Sequence, residues 1–436
     1  MTSLWNKIPR VVYYMDLLEP VVSLGKWFLG KAKDTDSVEK FENELASYLF
    51  LDSIKCLSHA RICLYYALKS YENQEGDEIL MTPINLPDMV NMIRILGLKE
   101  RFVDIKRSDY SIDLVDAKNK LSEKSKFLFV THLNGFIPNM NEIEKFASDH
   151  NLILIQDTTQ NFGAKYNGMP LESFGEHSFF SLCDLKVLHT HMGGALVSNV
   201  KERKIKVEEL TSNELKSLRF SYLRKFLVED LIANLILNRI FFNFFVFPVL
   251  KLITFYVGSQ NIQDLTNGKG VKFGKVVFLK GLFGGGGDVL SEEVPADMLY
   301  KYSSLQAEIG LKRLSYLERV EKRRIYFAKL CESKLTIPEK NRFKRSEQEH
   351  VFWKFPVYCE DWITLQKYLM DRGIDSARSN LPCLSDLDYL KSSDKTPVAQ
   401  ALVKNSIYIP LHFYLKDDEI EFVIDAVNKY FEGGGE

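Results

Sequence analysis

Cysteine is scarce, with six among 436 residues at positions 56, 63, 183, 331, 359 and 383. None of them forms a C-x-x-C pair, and no zinc-ligand spacing appears, which excludes the common cysteine-based zinc modules and any obvious disulfide framework. Reduced thiols in a cytoplasmic protein are the expectation. The opening stretch "MTSLWNKIPRVVYYMDLLEP" lacks the apolar h-region and small-residue cleavage site of a secretory signal, which points the same way. Charge of one sign is also lacking. The formal net charge is −1, so there is no global electrostatic case for nucleic acid. The basic run "KERKIK" (Lys201–Lys206) is expected to be a solvated helix face. "GGGGD" (Gly284–Asp288) is not followed by G-K-[ST], so it is no phosphate-binding P-loop, and no internal repeat is found.

What is present describes a globular chain with a sizeable core, 46% hydrophobic and 26% charged. From Ile79 to Ser198 the pattern alternates. "EILMTP" reads as a strand and "DMVNMIRILGL" as a helix. "KFLFVTHL" (Lys126–Leu133) reads as a buried strand, "MNEIEKFASDHN" as a helix, and "LILIQD" (Leu152–Asp157) as the next buried strand. Apolar strands separated by helices predict a mostly parallel central sheet covered by helices. In such sheets ligands sit at the carboxyl ends of the strands, where Asp157 and His132 fall. The rhythm breaks at Lys201. The predicted units are an N-terminal arm and large domain (1–200), an apolar helical insertion and connector (201–294), and a smaller C-terminal α+β domain (295–436).

One lysine needs explaining. In "FFSLCDLKVLHTHMGGALVS" (Phe179–Ser198), Lys186 stands between a short apolar strand and a second strand that begins at a Gly-Gly pair. A buried lysine loses its charge more readily, which frees the amine to attack carbonyl compounds. Asp157 closes a buried strand upstream, where an isolated carboxylate needs a cationic partner or several hydrogen-bond donors. Within the same stretch His189 and His191 form an H-x-H pair. No third ligand follows at useful spacing, so solvated loop histidines are expected and no metal site is assigned.

On these landmarks the chain resembles the DegT/DnrJ/EryC1/StrS sugar aminotransferases, which are fold-type I pyridoxal phosphate (PLP) enzymes. "QDTTQNFGAKYNGMPLESFGEHSFFS" looks like the family's stretch from the pyridine-binding Asp to the strand before the lysine. "FSLCDLKVLHTHMGGALVS" matches the pattern F-S-x-x-x-x-K-x-x-x-x-x-x-G-G-A-L-V. "SVEKFENELASYL", "THLNGFIPNMNEI", "SSLQAEIGLKRLSYLERVEKRR" and "IPLHFYLKDDEIEFVIDAV" follow in the family's order. The resemblance implies Lys186 as the residue that carries the cofactor, Asp157 as the partner of the pyridine nitrogen, Gln160 near the ring and Ser181 on the phosphate.

Several positions depart from the family pattern. Where the family reads G-T-x-A before its first large helix, this chain has Ala60 and Arg61, and Arg61 is a candidate phosphate contact in place of the lost hydroxyl. Leu86 stands where an aromatic ring is common. Leu299–Tyr302 replaces N-Y-R-M, which usually supplies an Asn from the partner subunit. Asp184 and Leu185 precede the lysine instead of Pro and a small hydroxyl residue.

The insertion "LIANLILNRIFFNFFVFPVLKLITFYV" (Leu231–Val257) is rich in Phe, but Arg239, Lys251 and Pro248 interrupt it, so it does not read as a bilayer span of about 20 apolar residues. It predicts either a buried helical pair at a subunit interface or a surface that lies on a membrane. Two readings of function follow. In the first, the protein is a PLP-dependent aminotransferase with a nucleotide-linked keto sugar as acceptor, an amino donor such as glutamate, and a homodimeric assembly. In the second, it is a non-catalytic relative that serves as an interaction or membrane-associated subunit.

Overall fold

A computed structural model of the chain describes residues 7–12, 25, 36–184, 186–218, 228, 231–232, 238–256, 292–346, 348, 350–379 and 381–434. The first long element, helix α1 (Asp36–Leu49), leads into a seven-stranded sheet. Its strands are β1 (Lys55–Leu57), β2 (Glu78–Met81), β3 (Lys99–Phe102), β4 (Ser125–Thr131), β5 (Ile153–Asp157), β8 (His177–Ser181) and β9 (Gly194–Ser198), with a small hairpin, β6 (Lys165–Tyr166) and β7 (Met169–Pro170), between β5 and β8. The spatial order is β1-β9-β8-β5-β4-β2-β3. The block from β8 to β3 is parallel, and β9 runs antiparallel to both of its neighbours. The predicted mostly parallel sheet is therefore present, and its elements begin and end within a few residues of the apolar runs that predict them.

The helices are α2 (Ala60–Lys69), α3 (Pro87–Ile95), α4 (Leu114–Asn119), α5 (Met140–Asp149) and α6 (Lys201–Glu214). Successive strand side chains face opposite sides of a sheet, and the two sides have different covers. Ile79, Met81, Phe127, Phe129, Ile155 and Phe179 pack under α2 and α3. The alternate residues Leu80, Leu128, Val130 and Leu154 pack under α5. Both faces are thus dry, which explains why these strands read as continuous apolar runs.

Helix α8 (Ser304–Lys334) spans roughly 45 Å at 1.5 Å per residue. A capping box of Ser303 and Gln306 starts it. Its first half packs on α1, and an added Cβ on Gly310 would lie 2.4 Å from the Phe41 ring. Its second half enters a separate core of Phe327, Ala328 and Cys331 with Val357, Leu365, Ile407 and Val423. That core belongs to the three-stranded sheet β10 (Phe355–Tyr358), β12 (Ser406–Ile409) and β11 (Ala377–Arg378), in that order, with α9 (Trp362–Asp371), α10 (Pro397–Asn405) and α11 (Asp417–Lys429). The N-terminal residue Ile8 bridges Ile374 and lies in this C-terminal core.

Part of the apolar insertion is described. Asn238 caps the turn Arg239–Phe241. A π-helical turn (Phe242–Val246) and helix α7 (Phe247–Tyr256) follow. Pro248 does not break this stretch: the helical backbone runs on from the π-helical turn into α7 across it. Arg239 pairs with Glu419, Lys251 pairs with Asp371 at 2.8 Å, and Lys7 N donates to Asn243. The insertion thus rests on α9, α11 and the N-terminal arm, with Phe242 and Phe247 buried. Ile240, Phe241, Phe244, Phe245, Val249 and Leu252 remain exposed.

Candidate active site

The site forms where three strands end on the α2–α3 face. Thr131 pairs with Asp157 in register, and Ser181 closes the next strand, two residues beyond the Phe179 that pairs with Asp157. All three share the parity of the residues under α2, so their side chains project to that side. Gln156 and His132 have the other parity. His132 Nε2 lies 2.8 Å from Gln156 Oε1, whose amide donates to the Leu171 carbonyl. Burial lowers the His132 pKa to about 4. His132 is therefore a neutral core residue, although it stands at a strand end.

Asp157 is 4% exposed and accepts a hydrogen bond from Thr159 N at 3.0 Å. Burial raises its pKa, while Thr159, the charge of Lys186 and Asn85 oppose the rise. Burial lowers the pKa of Lys186, and Asp157 opposes that too. The two groups interact electrostatically, with Asp157 buried and Lys186 half-buried, and a desolvated amine is the setting a lysine nucleophile needs. Gln160 Oε1 accepts from Asn134 N at 2.8 Å, and Ser181 Oγ accepts from Cys183 N at 3.1 Å. Gln160, Ser181 and Lys186 line one small space together with Thr159, Arg324 and Trp353.

Arg61 is not joined to this group by any contact among the described residues. It sits in the first turn of α2, and its guanidinium pairs with Asp88 at the start of α3. Leu86 caps α3, its N–H bonded to Asn85 Oδ1. Asn85 is a site residue that the sequence reading missed. It is buried, donates to Thr131 Oγ1 at 2.7 Å and reaches Asp157. Trp353 and Lys354 were missed as well. "FWKFPVY" reads as one strand, yet β10 begins only at Phe355. Phe352 has φ +51°, a left-handed conformation that a bulky residue rarely adopts, and this bend turns Trp353 and Lys354 toward Lys186. Lys354 is held down to a pKa of about 7 by burial, with Lys186 and Arg10 adding to the effect.

The Gly-Gly pair has a steric reason. A Cβ on Gly194 would lie 2.5 Å from the backbone of His59 and Ala60, so only glycine lets β9 start beneath the α2 N-terminus. Between the strands, the Cys183–Met192 loop is closed at its neck by hydrogen bonds between Leu182 and both Gly193 and Thr190. Residues near α8 hold it from behind. Tyr302 OH donates to Thr190 Oγ1 at 2.6 Å, Gln306 Nε2 to the Met192 carbonyl at 2.6 Å, and Arg313 to the His189 carbonyl. Tyr302 stands where the resemblance expects a different residue, and here it anchors the lysine loop. The expectation of solvated loop histidines is overturned: His189 and His191 are 0% and 1% exposed, because this anchoring folds the loop inward.

A cavity of about 1020 Å³ lies elsewhere, lined by Tyr48, Glu172, Glu321, Glu332 and Arg345 among others. It contains neither Asp157 nor Lys186. Around Lys186, an amine, the Asp157 carboxylate and the Ser181 hydroxyl are the groups that an aldehyde cofactor with an aromatic nitrogen and a phosphate would use.

The DegT/DnrJ/EryC1/StrS aminotransferase family matches this chain over residues 22–226 and 285–428. A GDP-perosamine synthase of Escherichia coli O157:H7 is 31% identical over 164 residues, which are 38% of this chain and 45% of that protein. A UDP-4-amino-4,6-dideoxy-N-acetyl-beta-L-altrosamine transaminase of Campylobacter jejuni is 31% identical over 185 residues, 42% of this chain and 49% of that protein. The matched part spans about half the length of these curated relatives. Among solved structures, the aminotransferase TlmJ from Streptoalloteichus hindustanus superposes with a TM-score of 0.71 at 15% identity, covering 98% of this chain and all of that one. Helicobacter pylori PseC, an aminotransferase involved in the biosynthesis of pseudoaminic acid, gives 0.70 at 16%, with the same coverage. At such identities the superpositions establish the fold.

Proposed function

The chain belongs to the DegT/DnrJ/EryC1/StrS aminotransferase family, and from that premise we propose that it is a PLP-dependent aminotransferase acting on the keto group of a nucleotide-linked sugar in glycan or polysaccharide biosynthesis. The observation that carries the reading is the pair of buried Asp157 and half-buried Lys186, each shifting the other's pKa at the carboxyl edge of the parallel strands. Bound PLP supplies an electron sink for the bond broken at the amino donor's carbon.

The chain's own residues divide the remaining work. The Asp157 carboxylate would face the ring nitrogen and hold its proton, which also relieves the carboxylate's burial. Ser181 Oγ and the backbone N–H groups at the start of α2 would take the phosphate, and Arg61 would add charge there on leaving Asp88. Gln160 and Leu86 would border the ring. Lys186 Nζ would hold the cofactor's aldehyde carbon and, as a free amine, would accept and return a proton beside the substrate carbon. An amino donor such as glutamate is part of the proposal, as is a homodimer in the cytoplasm. A strictly monomeric mass at micromolar concentration with cofactor present counts against the dimer.

One observation favours a non-catalytic relative instead: Arg61 is held by Asp88 while Trp353 covers Lys186. An absorbance titration of the full chain with PLP separates the two readings. The aminotransferase reading expects a new visible band that changes on adding glutamate, and borohydride trapping that leaves the pyridoxyl group on Lys186. A spectrum equal to the sum of protein and free PLP, or an adduct on another lysine, overturns it.

The exposed face of the insertion is proposed to contact a membrane surface peripherally. No described helix is long and apolar enough to cross a membrane, whereas exposed Phe beside Arg and Lys suits the boundary between headgroups and acyl chains.

A further inference from the structure

We infer that the lysine loop carries a transition-metal site made by Asp184, His189 and His191. No third ligand follows the H-x-H pair at useful spacing in the sequence. The fold supplies one from upstream. The Leu182–Gly193 and Leu182–Thr190 hydrogen bonds close the loop on itself, so Asp184 returns to the histidines that follow Lys186. One ligand atom from each of the three residues lies within 4.8 Å of the other two. Asp184 Oδ1 and His189 Nδ1 are 3.7 Å apart. A tetrahedral zinc with bonds of about 2.0–2.1 Å keeps its ligands roughly 3.4 Å apart, so small side-chain rotations complete the set.

The donor chemistry selects the class of ion. Two imidazoles and one carboxylate suit zinc or its neighbours, not magnesium or calcium, which take oxygen ligands. The two histidine rings stand at 79° to one another with centres 6.1 Å apart, a crossed arrangement that allows a nitrogen of each to reach one point. Asp184 is the exposed member, with 35% of its side chain accessible. It leaves a side from which a metal enters and on which a water completes the coordination. His191 takes φ +70°, a left-handed conformation in which His is uncommon, and this turn points the loop back on itself. Arg313 opposes the site by charge. Its guanidinium is engaged by the His189 carbonyl from the α8 side, so it buttresses the loop while weakening the affinity that three ligands alone would give. Bound metal would brace the loop on both sides of Lys186.

The test uses the full chain after dialysis against a chelator. Titration with Zn²⁺ by calorimetry, and with Co²⁺ by visible absorbance, is expected to give one saturable equivalent. The cobalt spectrum should have the intensity of a four-coordinate nitrogen–oxygen site without thiolate charge transfer. Losing an outer-shell partner already costs roughly 10–100-fold in metal affinity, so His189→Gln, His191→Gln and Asp184→Asn are each expected to weaken binding by at least about 100-fold. Asp184→Asn is the safeguard, since a half-exposed isosteric change keeps the fold even if the buried histidine variants do not. The inference is overturned by no saturable binding at micromolar metal, by variants that bind as the wild type does, or by a cobalt–thiolate band that assigns the metal to cysteine.

Discussion

The amine of Lys186 lies 4.5 Å from the centre of the Trp353 ring. This cation–π contact is made by a side chain that reaches the site only because Phe352 adopts a left-handed conformation. The space the two residues share amounts to about 10 Å³, room for about one water. Trp353 is the largest side chain lining that space, and the prediction is that it swings aside to admit a ring cofactor. Stopped-flow fluorescence should detect PLP binding as a change in tryptophan emission that Trp353→Phe abolishes. Trp353→Ala should speed the association severalfold. Equal association rates in wild type and Trp353→Ala would mean that this ring does not gate the site.

The pair between Arg61 and Asp88 gives a second prediction. Arg61 can serve either the phosphate or Asp88. Asp88→Asn should release the guanidinium and tighten PLP binding, while Arg61→Ala should weaken it by about 1.5–3 kcal/mol, as expected for a charged hydrogen bond. The partly exposed pair itself contributes about 0–1 kcal/mol to stability, so both variants should melt close to the wild type. PLP titration curves that coincide for all three proteins would leave Arg61 a purely structural role.

Glu172 is fully buried, and its pKa is raised to about 7 from an ordinary value of 4.5, chiefly by burial. A carboxyl with a raised folded pKa favours the folded state fully below the unfolded pKa, and that contribution is lost as pH rises toward 7. Ionisation of this one group thus costs the fold up to roughly 3 kcal/mol by pH 8. Urea denaturation of Glu172→Gln should show little gain over wild type at pH 4.5 and a gain of that order at pH 8. A gain independent of pH would contradict the assignment.

The exposed phenylalanines of the insertion give the last prediction. Anionic liposomes should float the wild-type protein, and a Phe241→Ser, Phe244→Ser, Phe245→Ser variant should remain at the bottom of the gradient. If the wild type stays with the soluble fraction, the apolar face is covered by protein, and the subunit-interface reading holds.

Much of the scaffold was legible in the chain. Ile79–Met81, Phe127–Val130 and Ile153–Ile155 are continuous apolar runs because helices cover both faces of the sheet. Asp157 was legible as a candidate site residue from its place at a strand end and Ser181 only through the family resemblance; strand period then puts both on the α2–α3 side. His132 also stands at a strand end, but one position out of phase, so it belongs to the opposite face.

Local pattern fixes period, strand ends and the order of landmarks, since these depend on neighbours a few residues apart. The contacts that decide the site's chemistry connect residues far apart in sequence. Trp353 reaches Lys186 from the C-terminal side through a backbone bend that no propensity predicts. Asp88 captures Arg61 because α2 and α3 pack side by side. His189 and His191, polar enough to read as solvated, are buried because Tyr302, Gln306 and Arg313 pull their loop against α8. Tertiary structure decided these points because burial, pairing and pKa depend on what lies across the fold, while the sequence reports what lies along the chain.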